Sequence, residues 1–290
     1  MTDDLPAWSA PFAGEARAAL RRLGPIERLT RETAFSGDGS GVTVAIIDSG
    51  VERDHPAVGG SLVRSVVVEP GETPDDDPVV RDDPDSLDVV GHGTACAGII
   101  HSIAPEARIT SVRVLDQRLS GKSVTFLAGL AWAVENGFDV VNLSLGTAKR
   151  DWALAFYELC DQAYFRNTVL VTAANNLPRP SFPNLYASVV SVACNLSKDP
   201  FRFHYNPEPP TEFLAPGVDI DVAWLGGTTM KGTGNSYAAP HITGIATLIR
   251  SKHPELRPFQ LKTVLWATAK NVRDALPGEV RPATMAIRRQ

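Results

Sequence analysis

Short apolar runs recur along the chain at Thr43–Ile47, Ile109–Val114, Val140–Leu143, Val169–Ala173 and Val189–Ala193. In most of them, Thr43–Ile47 above all, apolar positions are consecutive rather than alternating, which predicts strands buried on both faces, as in a parallel sheet. Between them lie segments whose apolar and small residues repeat with helical spacing: His92–Ile103, Ser123–Asn136 and Trp152–Arg166. Two more helices are predicted over Ser236–His253 and Pro258–Ala269. Pro254 separates them, since a helix interior rarely accepts a residue without an N–H. Strands alternating with helices of this length predict an α/β fold of three layers, a mainly parallel β-sheet flanked by helices on both faces.

No internal repeat or long linker divides the chain. Residues 1–24 read as a short N-terminal extension with an amphipathic helix around Gly14–Leu23, and residues 25–290 as one domain. Within it, Glu69–Asp88 carries Pro70, Pro74, Pro78 and Pro84. So many prolines exclude a helix or a central strand and predict an exposed loop, 69–88. That stretch holds nine acidic residues against Arg81, a local charge of -8 in a chain whose total is -5. An acidic loop beside a binding cleft would speed the arrival of basic peptides.

Composition narrows the class. Apolar content of 43% and charged content of 21% are those of a globular protein. No apolar run approaches the ~20 residues of a membrane span, and no basic stripe points to nucleic acid. Met1–Pro6 is acidic and shows neither the basic nor the apolar region of a secretory signal. The three cysteines, Cys96, Cys160 and Cys194, have no CxxC spacing. They argue against a disulfide framework or zinc site and for a reducing, cytoplasmic location. The oligomeric state stays open.

Three segments carry candidate chemistry: Ile46-Ile47-Asp48-Ser49-Gly50, Gly91-His92-Gly93-Thr94 and Gly234-Asn235-Ser236-Tyr237-Ala238-Ala239-Pro240-His241. A serine hydroxyl is a weak nucleophile and needs an adjacent base. An imidazole titrates near neutral pH and can take and return a proton, and a buried carboxylate fixes its tautomer. Asp48 follows an apolar strand, and His92 and Ser236 each open a helix. The start of the second helix favours developing negative charge.

Together these segments, in the order Asp, His, Ser, resemble the subtilisin-like serine proteases, the subtilase or peptidase S8 family. The resemblance runs from about Pro25 to Ala269. It implies a subtilisin-like fold and a serine endopeptidase whose catalytic residues are Asp48, His92 and Ser236. Val171–Asn176 resembles the segment that ends in the family's oxyanion asparagine. The usual Ala-Gly-Asn is Ala-Asn-Asn here, and the resemblance assigns Asn176 as the oxyanion donor. It also implies that an extended peptide or protein substrate lies between Leu119, Ser120 and Gly121 on one side and Ser144, Leu145 and Gly146 on the other, as an added strand. Leu177 and Pro180–Phe182 then wall the pocket for the residue before the scissile bond, which is expected to be apolar or uncharged. No metal or other cofactor is expected to be required. Structural calcium is conceivable but not predicted, because His92–Ile103 runs into Ile109–Val114 almost without insertion. His55 and His241 match non-catalytic positions of the family. Asn235 stands where the family usually has threonine, and residues 1–24 are too few for the folding prodomain of secreted relatives. They are expected to act as a short inhibitory arm or as a packing arm.

Protein turnover and maturation of one dedicated precursor peptide both suit such an enzyme. A non-catalytic peptide-binding module, or an enzyme passing the acyl group to an amine (a ligase or esterase), are the alternatives.

Overall fold

The structure, a computed structural model, describes residues 30–71, 73 and 76–274. The expected arm at residues 1–24 and its helix lie outside them. A nine-stranded sheet runs in the order β3-β2-β4-β1-β5-β6-β7-β9-β8. Its centre is parallel: β4 (Arg108–Arg113), β1 (Thr43–Asp48), β5 (Val140–Leu143), β6 (Val169–Ala173), β7 (Val190–Asn195) and β9 (Phe213–Pro216). β1, β5 and β6 are buried along almost their whole length, which is why they read as mainly apolar runs.

Two apolar cores sandwich the sheet. On one face pack α1 (Arg31–Ala34), α2 (His92–Ile103), α5 (Asn235–Lys252) and α6 (Pro258–Thr268), through Ile100, Ile103, Ile242, Ile245 and Leu261 among others. On the other lie α3 (Ser123–Glu135) and α4 (Ala153–Phe165), through Phe126, Leu130, Phe156 and Leu159. A short α7 (Lys270–Asp274) follows α6. The five expected helices and five expected strands are present, with ends displaced by a residue or two. Among the described residues no helix is long and apolar enough to cross a membrane.

The acidic loop needs correction. β2 (Leu62–Glu69), unanticipated, pairs parallel with β4, and Val79–Asp82 inside the presumed loop forms β3, antiparallel to β2. Its prolines only confine it to the sheet edge. Much of the acidic charge is neutralised or withdrawn: Glu69 pairs with Arg81, Asp82 with Arg64 and Asp83 with Arg113. Asp88 is 5% exposed. The further strands β8 (His204–Tyr205), β9, β10 (Ile220–Trp224) and β11 (Thr228–Gly232) were not anticipated either.

Candidate active site

β1 lies between β4 and β5, where the strand order turns back on itself. Open α/β sheets leave a crevice at such a place, outside the carboxyl ends of the strands. Asp48 is the last residue of β1 and fully buried. Its Oδ1 and Oδ2 lie 2.8 and 2.9 Å from Nδ1 of His92. An ionised carboxylate only accepts, so the network places a proton on Nδ1 and leaves the Nε2 lone pair free.

His92 opens α2. A Cβ on the next residue, Gly93, would stand 1.9 Å from the Gly50 carbonyl oxygen, so only glycine lets the helix begin this close to the strand end. The helix N-cap, Gly91, has φ +111° and no side chain to satisfy the first N–H groups. Asp88 does this work instead. Its Oδ1 accepts from the backbone of Val90 (3.0 Å) and Gly91 (2.8 Å) and from the Ser49 hydroxyl (2.8 Å). Its Oδ2 accepts from the Thr94 backbone (2.9 Å) and hydroxyl (2.6 Å). Ser49 Oγ in turn accepts from Gly93 N at 3.1 Å. One buried carboxylate thus ties the Asp48 turn to the first turn of the helix that carries His92.

These charges set the imidazole's titration. Burial pushes the His92 pKa down, while the charge and hydrogen bonds of Asp48 and the charge of Asp88 push it up. The balance lies above the ordinary value.

Ser236 is the second residue of α5. Pro240, four residues on, has no N–H, so it withholds the helical hydrogen bond that the Ser236 carbonyl would accept. The Ser144 hydroxyl donates to that carbonyl instead, at 2.8 Å. Asn142 holds Ser144 from the other side: its Nδ2 donates to Ser144 Oγ at 2.9 Å and its Oδ1 accepts from Thr243 Oγ1 at 2.9 Å. Ser144 therefore supports the backbone of Ser236 as well as bordering the crevice.

Distances tie the three segments together. The Tyr237 ring lies 5.2 Å from the His92 ring, and Cys96 Sγ lies 3.9 Å from Asp48 Oδ2 and 3.8 Å from the Ser236 carbonyl oxygen. The Ser236 Oγ and His92 Nε2 are both uncommitted, and no hydrogen bond joins them among the described residues. In ligand-free sites such bonds are often long and tighten on binding.

Asp48, His92 and Cys96 are the one group of three possible metal ligands found among the described residues, with donor atoms within 4.8 Å of one another. The chemistry does not suit an ion. Nδ1 carries a proton, and burial followed by the charge of Asp48 raises the Cys96 thiol well above its usual pKa, so it is no thiolate.

A pocket of about 230 Å³ opens beside Ser236, lined by Ser144, Leu145 and Gly146 on one side and Ala173–Asn176 on the other. Asn176 Oδ1 accepts from the Asn235 backbone at 2.9 Å, which turns its NH2 away from that contact. A single point, where a Cβ on Gly234 would sit, is 3.3 Å from Ser236 Oγ and 3.5 Å from Asn176 Nδ2. Asn175, by contrast, spends its Oδ1 on the Leu177 N–H of its own turn. Asn235 fastens this segment: its Nδ2 donates to the Ala174 and Asn175 carbonyls, both at 3.2 Å, and its Oδ1 accepts from Cys194 N at 2.8 Å.

One expectation about the substrate side changes. Leu177 is 56% exposed and does not line the pocket; Arg179 does, together with Ser181 from the expected Pro180–Phe182 segment. The Leu177 amide is drawn into the Asn175 turn, and an antiparallel bridge between Thr147 and Phe182 brings Ser181 to the pocket. Leu119, Ser120 and Gly121, expected along the substrate backbone rather than in this pocket, lie on an exposed loop after β4. Sequence reasoning also missed Asp88, hidden in an acidic run that composition reads as solvated. His55 and His241 serve structure: His55 bridges the Thr228 carbonyl and the Ala57 N–H, and burial lowers the His241 pKa to about 4.

The profile of the Subtilase family matches residues 39–281. Subtilisin DY from Bacillus licheniformis is 31% identical over 270 residues, 87% of this chain and 92% of that protein. Subtilisin E from Bacillus subtilis (strain 168) is 33% identical over 80% of this chain, which spans 61% of its length. The crystal structure of a cold adapted subtilisin-like serine proteinase superposes with a TM-score of 0.64 at 29% identity, over 82% of this chain and 87% of that one. The chain belongs to the subtilase family and is a serine endopeptidase, acting on peptide or protein substrates.

Proposed function

We propose that Ser236 attacks the scissile carbonyl, that His92 Nε2 takes its proton and returns it to the leaving amine, and that Asp48 orients and charge-stabilises the ring. The observation that carries this reading is the buried Asp48–His92 pair held beside the helix end on which Ser236 stands. The tetrahedral oxyanion is bound by Asn176 Nδ2 and by the Ser236 N–H, one of the first-turn groups without an intrahelical acceptor. Water then releases the acyl-enzyme. The substrate lies extended, pairing with Ser144–Gly146 and flanked by Leu119–Gly121.

An organophosphonate ester tests this: the reading predicts covalent labelling at Ser236, mapped by mass spectrometry, and labelling elsewhere or none contradicts it.

The enzyme works in the cytoplasm, without a metal requirement. Support for the first comes from three free thiols, Cys96 and Cys160 buried and Cys194 partly so. Support for the second comes from the tight Ala104–Ala107 turn that joins α2 to β4 without a loop to cage an ion. Cell fractionation decides the location. Cleavage profiling on a proteome-derived peptide library separates general turnover from maturation of one precursor.

A further inference from the structure

The pocket beside Ser236 lies where a substrate's P1 side chain must go, once its carbonyl sits against Asn176 and the Ser236 N–H. Its lining is mostly polar, with Ser144, Asn175, Asn176 and Ser181 set among Leu145 and two alanines, and it carries one formal charge, Arg179. No acidic residue lines it. Among the described residues the Arg179 guanidinium has neither an ion pair nor a hydrogen bond; only its backbone N–H is engaged, to the Leu177 carbonyl at 2.7 Å. The backbone that carries it is fixed at both ends. Asn175 Oδ1 accepts from Leu177 N at 2.9 Å, and Thr147 and Phe182 exchange backbone bonds of 2.9 and 2.8 Å. Pro178 and Pro180 flank the arginine and limit its φ/ψ freedom.

We propose that Arg179 makes this pocket selective for an anionic P1 side chain, so that the enzyme cleaves after glutamate or aspartate. The inference rests on the catalytic reading above and adds its substrate class. An apolar P1 residue would cover the guanidinium without pairing it, the kind of mismatch that polar sites reject. A lysine would meet a like charge. A carboxylate finds the planar donor fork of arginine, which suits it in geometry and charge.

The test uses peptides identical except for Glu, Gln, Leu or Lys at P1, cleaved by the full chain. Because Arg179 is exposed, kcat/KM should favour Glu over its isostere Gln by up to about fivefold, the worth of an exposed ion pair. Arg179→Gln should bring that ratio close to one, and Arg179→Glu should turn the preference toward Lys. Equal or better cleavage after Gln in the unmodified chain, or a Glu:Gln ratio that persists in Arg179→Gln, overturns the proposal. Binding of the same peptides to Ser236→Ala gives the ratio without turnover. A chain that binds the Glu peptide tighter but fails phosphonate labelling refutes the catalytic reading alone, and one that is labelled at Ser236 yet ignores P1 charge refutes this one alone.

Discussion

The hydroxyl of Ser144 donates to the carbonyl of Ser236 at 2.8 Å, in the place of the helical N–H that Pro240 lacks. A proline in a helix interior normally weakens it. Here the freed carbonyl becomes an attachment point, and the strand end after β5 grips the backbone of the nucleophile.

Replacing Ser144 with alanine should therefore destabilise the protein by about 1–3 kcal/mol, the usual cost of an unpaired acceptor. Cys96, 3.8 Å from the same carbonyl, is only a weak substitute donor. Denaturant unfolding in a Ser236→Ala background, which prevents self-digestion, measures the loss. No change in midpoint would mean that the bond is dispensable.

The pH dependence follows from His92. The ring must be neutral to act as base, so kcat/KM rises as pH passes its pKa, which Asp48 and Asp88 hold above the ordinary value. Asp88→Asn removes one of these charges and should move the acid limb of the profile to lower pH. A merely structural role for Asp88 would lower activity without shifting the limb. The sign for stability is opposite in direction. A pKa raised on folding stabilises the protein fully below the unfolded value of about 6.5, and the contribution is lost as pH rises through the folded pKa.

What the sequence made legible, and what it hid, has a physical pattern. β1, β5 and β6 could be read because burial on both faces leaves few polar positions, Asn142 and Thr172 among them, in otherwise apolar runs. Asp48, His92 and Ser236 stood out as candidates because each sits in a glycine-bearing motif at an element end, and the structure pairs Asp48 with His92 beside the helix that carries Ser236. β2 was missed because its burial is mixed, and β3 because an edge strand tolerates the prolines that exclude a central one. Asp88 was missed because a buried acid and a solvated one look alike until the donors around it are folded into place. Leu177 was misplaced because Asn175 draws its amide into a local turn that the residue types alone do not reveal, which leaves Arg179 at the pocket.

The oxyanion side offers a graded test. Asn176→Ala should lower kcat with little effect on KM; loss of the corresponding donor in subtilisin costs roughly 10²–10³. Asn235→Ala, which frees the Ala174 and Asn175 carbonyls and Cys194 N without touching substrate, should lower kcat less than Asn176→Ala does. Equal activity of the Asn176→Ala and unmodified chains would remove Asn176 from the mechanism.

Chelation gives a simple check on metal independence. Activity and melting temperature of the full chain should be the same in excess EDTA and in added calcium. A fall in melting temperature on chelation, reversed by calcium, would show that an ion is held after all.

The central claim is that Ser236 is the nucleophile activated by His92, and substitution of its hydroxyl tests it most directly. Steady-state cleavage of one peptide by the full chain and by Ser236→Ala, with unfolding curves showing both folded, should differ in kcat by about 10⁶, the loss seen when a subtilisin triad serine is removed. Turnover by Ser236→Ala at the rate of the unmodified chain would contradict the account.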